Sequence, residues 1–165
     1  MAQGEADDVV RAGLSEEEMR RRAIDLVFGG DESRFQEFCE VLRESLPAQT
    51  AAVLRGSSVT GTRWEDGAPF DSEGPGTSDL DLMLVGPEVL ELYTEDGFYI
   101  PGVLTKPLGE EAPRIAPALE PLRRRLMAMV GRPVNIQATR DFVMSVREVF
   151  MRQPYLTLVG SVGGS

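Results

Sequence analysis

The sequence predicts an α+β (α/β) fold in which helices flank a mixed β-sheet, with two helices at its N-terminal end. Apolar residues first recur at helical spacing; further along they alternate with polar residues as in strands, and more helical stretches lie between. The 165 residues are enough for one compact domain. We expect a flexible lead-in over residues 1–14, the domain over 15–160 and a flexible tail over 161–165.

Two predicted helices open the domain. The first begins at Ser15, where a glutamate three residues further on completes a capping box, and it ends at Phe28 before two glycines. Asp31 or Ser33 caps the second helix, whose apolar residues keep helical spacing until Pro47 ends it. These helices are expected to pack on the sheet.

The next elements are predicted strands separated by a long polar segment. Ala51 to Leu54 is a short apolar run that leads into a glycine turn. Residues 60–78 are too long and too polar for a routine connection, which indicates a mobile loop or a functional flap. Leucines at 80, 82 and 84 then alternate with other residues, as in a strand with two different faces.

The C-terminal half alternates between helical and extended patterns. Its predicted elements are a short helix over Pro87–Tyr93, an extended segment over Gly97–Leu104, a helix from Ile115 to Val130, a strand over Pro133–Ala138, a helix over Thr139–Met151 and a short apolar run over Tyr155–Val159. We expect the strands to form one mixed sheet.

Composition excludes several classes of function. Hydrophobic residues make up 42% of the chain, and 17 basic against 27 acidic residues give a net charge of −10. This charge disfavours non-specific binding to nucleic acid, whose backbone is itself anionic. Histidine is absent and Cys39 is the single cysteine, which excludes histidine-based triads, histidine-ligated zinc and an intramolecular disulfide. Catalysis would have to use carboxylates, hydroxyls, arginines and bound metal.

The chain carries no signal of membrane insertion or export. No apolar stretch approaches the roughly 20 residues that a membrane span needs. Residues 1–8 are acidic, where a signal peptide would be basic. The sequence therefore predicts a cytoplasmic protein without a membrane partner.

Two aspartates lie at the start of the second predicted strand. Asp79 and Asp81 are two positions apart, so both carboxylates project from the same face. Their mutual repulsion is relieved if a divalent cation lies between them, and hard oxygen ligands suit Mg²⁺ or Mn²⁺. The alternative is that both are ordinary solvated residues at the beginning of a strand.

A glycine turn ends the first predicted strand. Gly56 and Ser57 follow the apolar run, and a glycine there lets backbone N–H groups approach a phosphate. An ordinary turn has the same sequence. The whole order of apolar strand, Gly-Ser turn, polar loop and Asp-x-Asp strand is a more specific signal than the Gly-Ser turn alone or the Asp-x-Asp pair alone.

These residues resemble the core motif of the DNA polymerase β-like nucleotidyltransferase superfamily, in its minimal, single-domain form. The matching stretches are Leu54–Ser57 and Thr77–Leu84, separated by a loop that is longer than usual in the family. The resemblance implies a metal-dependent transfer of a nucleoside monophosphate from a nucleoside triphosphate to a hydroxyl group. The acceptor would be a small molecule, a protein or a nucleic-acid end.

The resemblance also assigns roles to individual residues. It implies that Gly56 and Ser57 bind the nucleotide phosphates, that Arg55 and Ser58 assist, and that two Mg²⁺ or Mn²⁺ ions are bound. The metal ligands in this assignment are Asp79 and Asp81.

The chain departs from the family pattern at its third acidic position. Asn135, on the strand over 133–138, stands where the family usually has a carboxylate. Asparagine offers a neutral oxygen ligand but cannot act as a base. The long loop contains Trp64, which could stack on a base, and four acids that either replace the missing carboxylate or are solvated: Glu65, Asp66, Asp71 and Glu73.

Three functions therefore stay open. The first is an active nucleotidyltransferase in which Asp79, Asp81 and Asn135 are the catalytic residues. The second is a catalytically impaired domain of the same fold that binds a nucleotide or a partner protein. The third is a structural interaction module in which the motif is coincidental. In the first two, a homodimer or a partner chain would supply surface that a larger family member has in a second domain.

Overall fold

Two helices come before a mixture of strands and helices in the computed structural model, which describes residues 15–63, 66–140 and 154–160. The helices are α1 (Glu16–Phe28), α2 (Glu32–Ser45), α3 (Ser57–Thr60), α4 (Pro87–Leu90) and α5 (Glu120–Val130), with a 3₁₀ turn at Glu95–Gly97. The strands are β1 (Ala51–Arg55), β2 (Leu80–Val85), β3 (Phe98–Ile100), β4 (Leu104–Thr105), β5 (Val134–Thr139) and β6 (Tyr155–Val159). The predicted α+β fold with two N-terminal helices is confirmed.

The two N-terminal helices have the predicted boundaries because their caps satisfy the exposed backbone groups. The Ser15 hydroxyl accepts a hydrogen bond from the Glu18 backbone N–H at 3.1 Å. Gly29 ends α1 in the left-handed conformation, at φ 64°. Asp31, rather than Ser33, caps α2, since its carboxylate accepts from the backbone N–H groups at the start of that helix.

The strands form one mixed sheet in the order β3-β4-β5-β2-β1-β6. Strand β2 lies in the middle, antiparallel to β1 and parallel to β5. Its residues Leu80, Leu82 and Leu84 are buried in the main core together with side chains of α1, α2 and α5. Strand alternation therefore turns the residues between these leucines to the opposite face.

The opposite face combines apolar and polar residues. Val53, Met83 and Leu104 form a second, small buried cluster there. One end of this face is polar, because Arg55 pairs in register with Asp81, and Asp81 pairs with Asn135. The register of three neighbouring strands thus places three polar side chains in one row.

Two elements differ from the sequence-based prediction. The extended segment over 97–104 is part of a hairpin, in which β3 and β4 pair antiparallel after a turn. The helix expected from Ile115 begins at Glu120, because Pro117 disfavours helical backbone in the residue before it and lacks a donor. Ile115 is buried in the core nevertheless, which explains why its spacing looks helical.

Other predictions fall partly or wholly on residues that the structure does not describe. The helix predicted over 139–151 lies outside the described residues, apart from Thr139, which ends β5, and residue 140. The lead-in over 1–14 and the tail over 161–165 also lie outside them. Across residues 15–63, 66–140 and 154–160, no helix is both long and apolar enough to span a membrane.

Truncating Leu82 tests the packing that sets the register of β2. Leu82 is 1% exposed in the main core, so Leu82→Ala should lower the free energy of unfolding by about 2–5 kcal/mol. Urea unfolding at pH 7 measures this loss. Ile100→Ala is the control, because Ile100 is 46% exposed and its truncation should change stability by less than about 0.5 kcal/mol. Equal losses in the two variants would contradict the assigned burial.

Candidate functional site

The polar row at the end of the sheet is completed by Asp79, which directly precedes β2. Asp79 is exposed, whereas Asp81 and Asn135 are half-buried. The Asn135 amide donates to Asp79 Oδ2 at 3.0 Å and to Asp81 Oδ1 at 3.3 Å. One amide group therefore bridges two carboxylates that would otherwise repel each other.

Gly109 packs directly against the side chain of Asn135. A Cβ atom built on Gly109 would lie 2.3 Å from Asn135 Oδ1, which is far inside van der Waals contact. The segment that contains Gly109 is held to β5 by backbone hydrogen bonds between Leu108 and Ile136 in both directions. The Asn135 side chain is thus confined from the side opposite the two aspartates.

The glycine turn lies beside the same carboxylates. Gly56 has φ 89°, and a Cβ atom built on it would lie 3.0 Å from Asp81 Oδ2. Both the positive φ and this close approach require glycine. Ser57 begins α3 immediately after the turn, so the turn and the aspartates share one small region of the surface.

A cavity of about 300 Å³ opens over these residues. Its floor includes four residues of the motif, Gly56, Ser57, Asp79 and Asp81, together with Arg55. Residues of the loop over 61–78, called the 61–78 loop below, also line the cavity: Arg63, Ser72, Glu73, Thr77 and Ser78. Two of the residues predicted for the site lie outside this lining: Ser58, which is fully buried, and Asn135.

Arg55 is fixed to the sheet next to the cavity. Its guanidinium donates to Gln137 Oε1 at 3.1 Å, and the Gln137 amide donates to the backbone carbonyl of Thr105 at 2.7 Å. Arg55 therefore belongs to a hydrogen-bonded chain that connects β1, β5 and β4.

An ion pair anchors the end of the 61–78 loop that leads into Asp79. Arg132 donates to both carboxylate oxygens of Asp71, at 2.8 and 3.1 Å, and to the Ser78 carbonyl at 3.0 Å. Asp71 in turn accepts from the backbone N–H groups of Gly76 and Ser78. The Arg132 guanidinium also lies 4.5 Å from the centre of the Phe70 ring.

The acids of the loop have different partners. Asp71 pairs with Arg132, and Asp66 pairs with Arg63, each at 2.8 Å. Glu73 lines the cavity and pairs with Arg63 at 3.4 Å. Trp64 and Glu65 lie outside the described residues.

The groups that could ligate a metal ion here are the carboxylates of Asp79 and Asp81 and the amide of Asn135. Among the residues that the structure describes, no group of three or more His, Cys, Asp or Glu side chains could hold a metal ion. If the Asn135 amide turned over, its oxygen would face Asp79 and Asp81. Three hard oxygen ligands would then converge, which is chemistry that Mg²⁺ and Mn²⁺ accept.

Comparisons of the chain with protein-family models, with curated proteins and with solved structures find no match. The resemblance to the nucleotidyltransferases therefore depends on the sequence motif alone, and the site is characterised by its own geometry. That geometry brings together five of the predicted site residues within the cavity lining, Arg55, Gly56, Ser57, Asp79 and Asp81, with Asn135 hydrogen-bonded to the aspartates.

The ion pair that anchors the loop should make stability depend on pH. The Arg132 guanidinium, followed by the backbone N–H groups of Ser78 and Gly76, lowers the pKa of Asp71 to about 2 from its ordinary value of 3.8. A carboxyl group with a lowered folded-state pKa stabilises the fold fully above its unfolded-state pKa. This contribution, about 2 kcal/mol, is lost as the pH falls from 3.8 towards 2.

The substitution Asp71→Asn removes this contribution. At pH 7 the variant should be less stable than the wild type by about 2 kcal/mol, and the difference should shrink as the pH falls through 3.8. Urea unfolding at a series of pH values measures it, with Asp96→Asn, at an exposed position, as the matched control. A stability difference that stays constant down to pH 2.5 would contradict the assigned ion pair.

Proposed function

We propose that the protein is a metal-dependent nucleotidyltransferase that moves a nucleoside monophosphate from a nucleoside triphosphate to a hydroxyl acceptor. The observation that carries this proposal is the cavity in which the Gly56-Ser57 turn lies directly against the Asp81 carboxylate, with Asp79 in the same lining. A phosphate-binding turn beside a pair of carboxylates is the arrangement that phosphoryl transfer needs.

Each part of the cavity has a chemical role in this proposal. Gly56, which has no side chain, lets phosphate oxygens approach the backbone, and the Ser57 hydroxyl adds a hydrogen-bonding group. Asp79 and Asp81 hold Mg²⁺ or Mn²⁺, with Asn135 offering a neutral oxygen after its amide turns over. The bound cation supplies neutralisation of the charge that develops on the attacking and leaving oxygens.

The reaction is an in-line displacement at the α-phosphorus. The acceptor oxygen forms a bond to this phosphorus, the bond to the β-phosphate oxygen breaks, and pyrophosphate leaves. The acceptor proton passes to solvent or to a carboxylate at the exposed Asp79, because Asn135 cannot accept it. The proposal places the protein in the cytoplasm, with a small molecule or a protein as acceptor and a second copy or a partner chain as added surface.

The hydrogen bonds of Asn135 favour a second candidate function. Its amide donates to both Asp79 and Asp81, so an uncharged group already lies between the two carboxylates and offsets part of their repulsion. An impaired nucleotidyltransferase domain that binds a nucleotide or a partner protein, but transfers very slowly, would have this arrangement. The two candidates differ in turnover, not in the binding site.

Calorimetric titration with nucleoside triphosphates, with and without Mg²⁺, tests the binding that both candidates share. We expect affinity that requires Mg²⁺ and is lost in Asp79→Asn/Asp81→Asn, because the variant cannot ligate the cation. Asp96→Asn/Glu88→Gln removes the same charge at exposed positions and should bind like the wild type. Transfer of label from an α-labelled triphosphate distinguishes an active enzyme from an impaired one. Full Mg²⁺-dependent affinity in the Asp79/Asp81 variant would contradict the site.

Substitution at Asn135 tests its bridging role. Without metal, Asn135→Asp should unfold at a lower temperature, because a third carboxylate replaces the donor between Asp79 and Asp81. Addition of Mg²⁺ should restore the melting temperature of this variant. The variant should also bind Mg²⁺ about tenfold or more tightly than the wild type does. Asn135→Ala, which removes the donor but adds no charge, should gain much less from Mg²⁺. If Mg²⁺ affects both variants equally, the residue does not face the metal.

A further inference from the structure

Arg63 is the feature of the cavity that the sequence motif does not explain. It lies on the 61–78 loop, and its side chain lines the same cavity as Gly56, Ser57 and Asp81. No spacing rule marks this residue in the sequence, because it stands in a polar loop. It adds a second guanidinium, besides Arg55, to a lining that contains the carboxylates of the motif.

The partners of Arg63 are exposed to solvent. Its guanidinium donates to both carboxylate oxygens of Asp66, at 3.2 and 2.8 Å, and pairs with Glu73 Oε2 at 3.4 Å, and the three side chains are 38%, 54% and 72% exposed. Water screens ion pairs at this exposure and competes for the same donors. The Arg132–Asp71 pair of the same loop is different, with side chains only 7% and 21% exposed. Solvent therefore has direct access to the partners of Arg63, so that another anion can replace them while the buried anchor of the loop stays in place.

The backbone around Arg63 is held in position. Thr62 and Pro69 form an antiparallel bridge, and the Arg63 N–H donates to the Ala68 carbonyl at 2.7 Å. The Phe70 N–H donates to the Gly61 carbonyl at 2.9 Å. A change of partners thus needs movement of the Arg63 side chain only.

The charge balance of the cavity indicates what the new partner would be. A triphosphate brings several negative charges into a lining that already contains Asp79, Asp81 and Glu73. Divalent cations on the aspartates offset part of this charge. A guanidinium offers two parallel N–H donors to phosphate oxygens. The described lining has two of them: Arg55 is hydrogen-bonded to the buried Gln137, whereas the partners of Arg63 are exposed to solvent.

We infer that Arg63 binds the terminal phosphates of the nucleotide and that Asp66 and Glu73 are exchanged for phosphate oxygens when it does so. This inference rests on the proposed function, because it concerns the substrate of the same cavity. It makes Arg63 the residue that distinguishes a triphosphate from a monophosphate. It also gives Asp66 and Glu73 a role as competitors that occupy Arg63 in the ligand-free protein.

Titration of the full chain with inorganic triphosphate in the presence of Mg²⁺ tests the inference without a contribution from the base. Arg63→Gln should weaken this binding by about tenfold or more, and Arg63→Lys should recover part of the loss. Binding of inorganic phosphate should change much less. Arg124→Gln is the matched control, because Arg124 is 73% exposed, pairs with a glutamate on α5 and lies outside the cavity lining.

A double-mutant cycle tests the competition by Asp66 and Glu73. Asp66→Asn/Glu73→Gln should tighten triphosphate binding when Arg63 is present. The same pair of substitutions should have no such effect in Arg63→Gln, because the guanidinium that the acids would release is missing there. Tightening of the same size in both backgrounds would mean that the acids act by general repulsion, which overturns the exchange.

The outcomes separate this inference from the proposed function. If Arg63→Gln binds triphosphate like the wild type while Asp79→Asn/Asp81→Asn does not bind, the inference is wrong and the proposed function stands. If the wild type binds neither inorganic triphosphate nor a nucleoside triphosphate with Mg²⁺, the proposed function fails and the inference with it.

Discussion

The register of β2 between β1 and β5 is the constraint on which the site depends. Leu80, Leu82 and Leu84 are buried against the helices, and because side chains alternate along a strand, this burial turns Asp81 to the opposite face. The pairing of Arg55 and Asn135 with Asp81 then follows from the same register. A slip of one residue would bury a carboxylate and expose leucines, at a cost that the fold could not offset. Apolar packing on one face therefore fixes the polar chemistry on the other.

Three groups beside the carboxylates balance the charge of the cavity. An amide lies between Asp79 and Asp81, Arg55 belongs to the hydrogen-bonded chain through Gln137, and Arg63 pairs with the acids of the loop. The amide and Arg55 are built into the sheet, whereas the pairs of Arg63 are exposed to solvent. The cavity thus has a floor that is held by hydrogen bonds within the sheet and one side whose ion pairs are open to solvent. Such a division suits a site that must admit a charged ligand.

Local signals in the sequence predicted much of this arrangement. The serine cap at Ser15 predicted the first helix, and the alternation of apolar residues predicted β2 and the strand over 133–138. The resemblance, and no local signal, connected Asn135 with the aspartates. The late start of α5 was missed, because Ile115 keeps helical spacing although it is buried as part of a turn. The Arg132–Asp71 pair was missed for another reason. Its partners are far apart in sequence, and no periodicity connects a loop residue with one that follows a helix.

The same ion pair bears on how this loop could change in evolution. Arg132, Asp71 and Ser78 close the last part of the loop into a unit of its own, so the path into Asp79 does not depend on what precedes Phe70. Insertions or deletions between Thr62 and Pro69 would change the part of the cavity lining that contains Arg63. They would not displace the aspartates, since lengthening a surface loop costs little in closure entropy. Related chains could therefore vary the residues of this segment, Arg63 included, while the floor of the cavity stays unchanged.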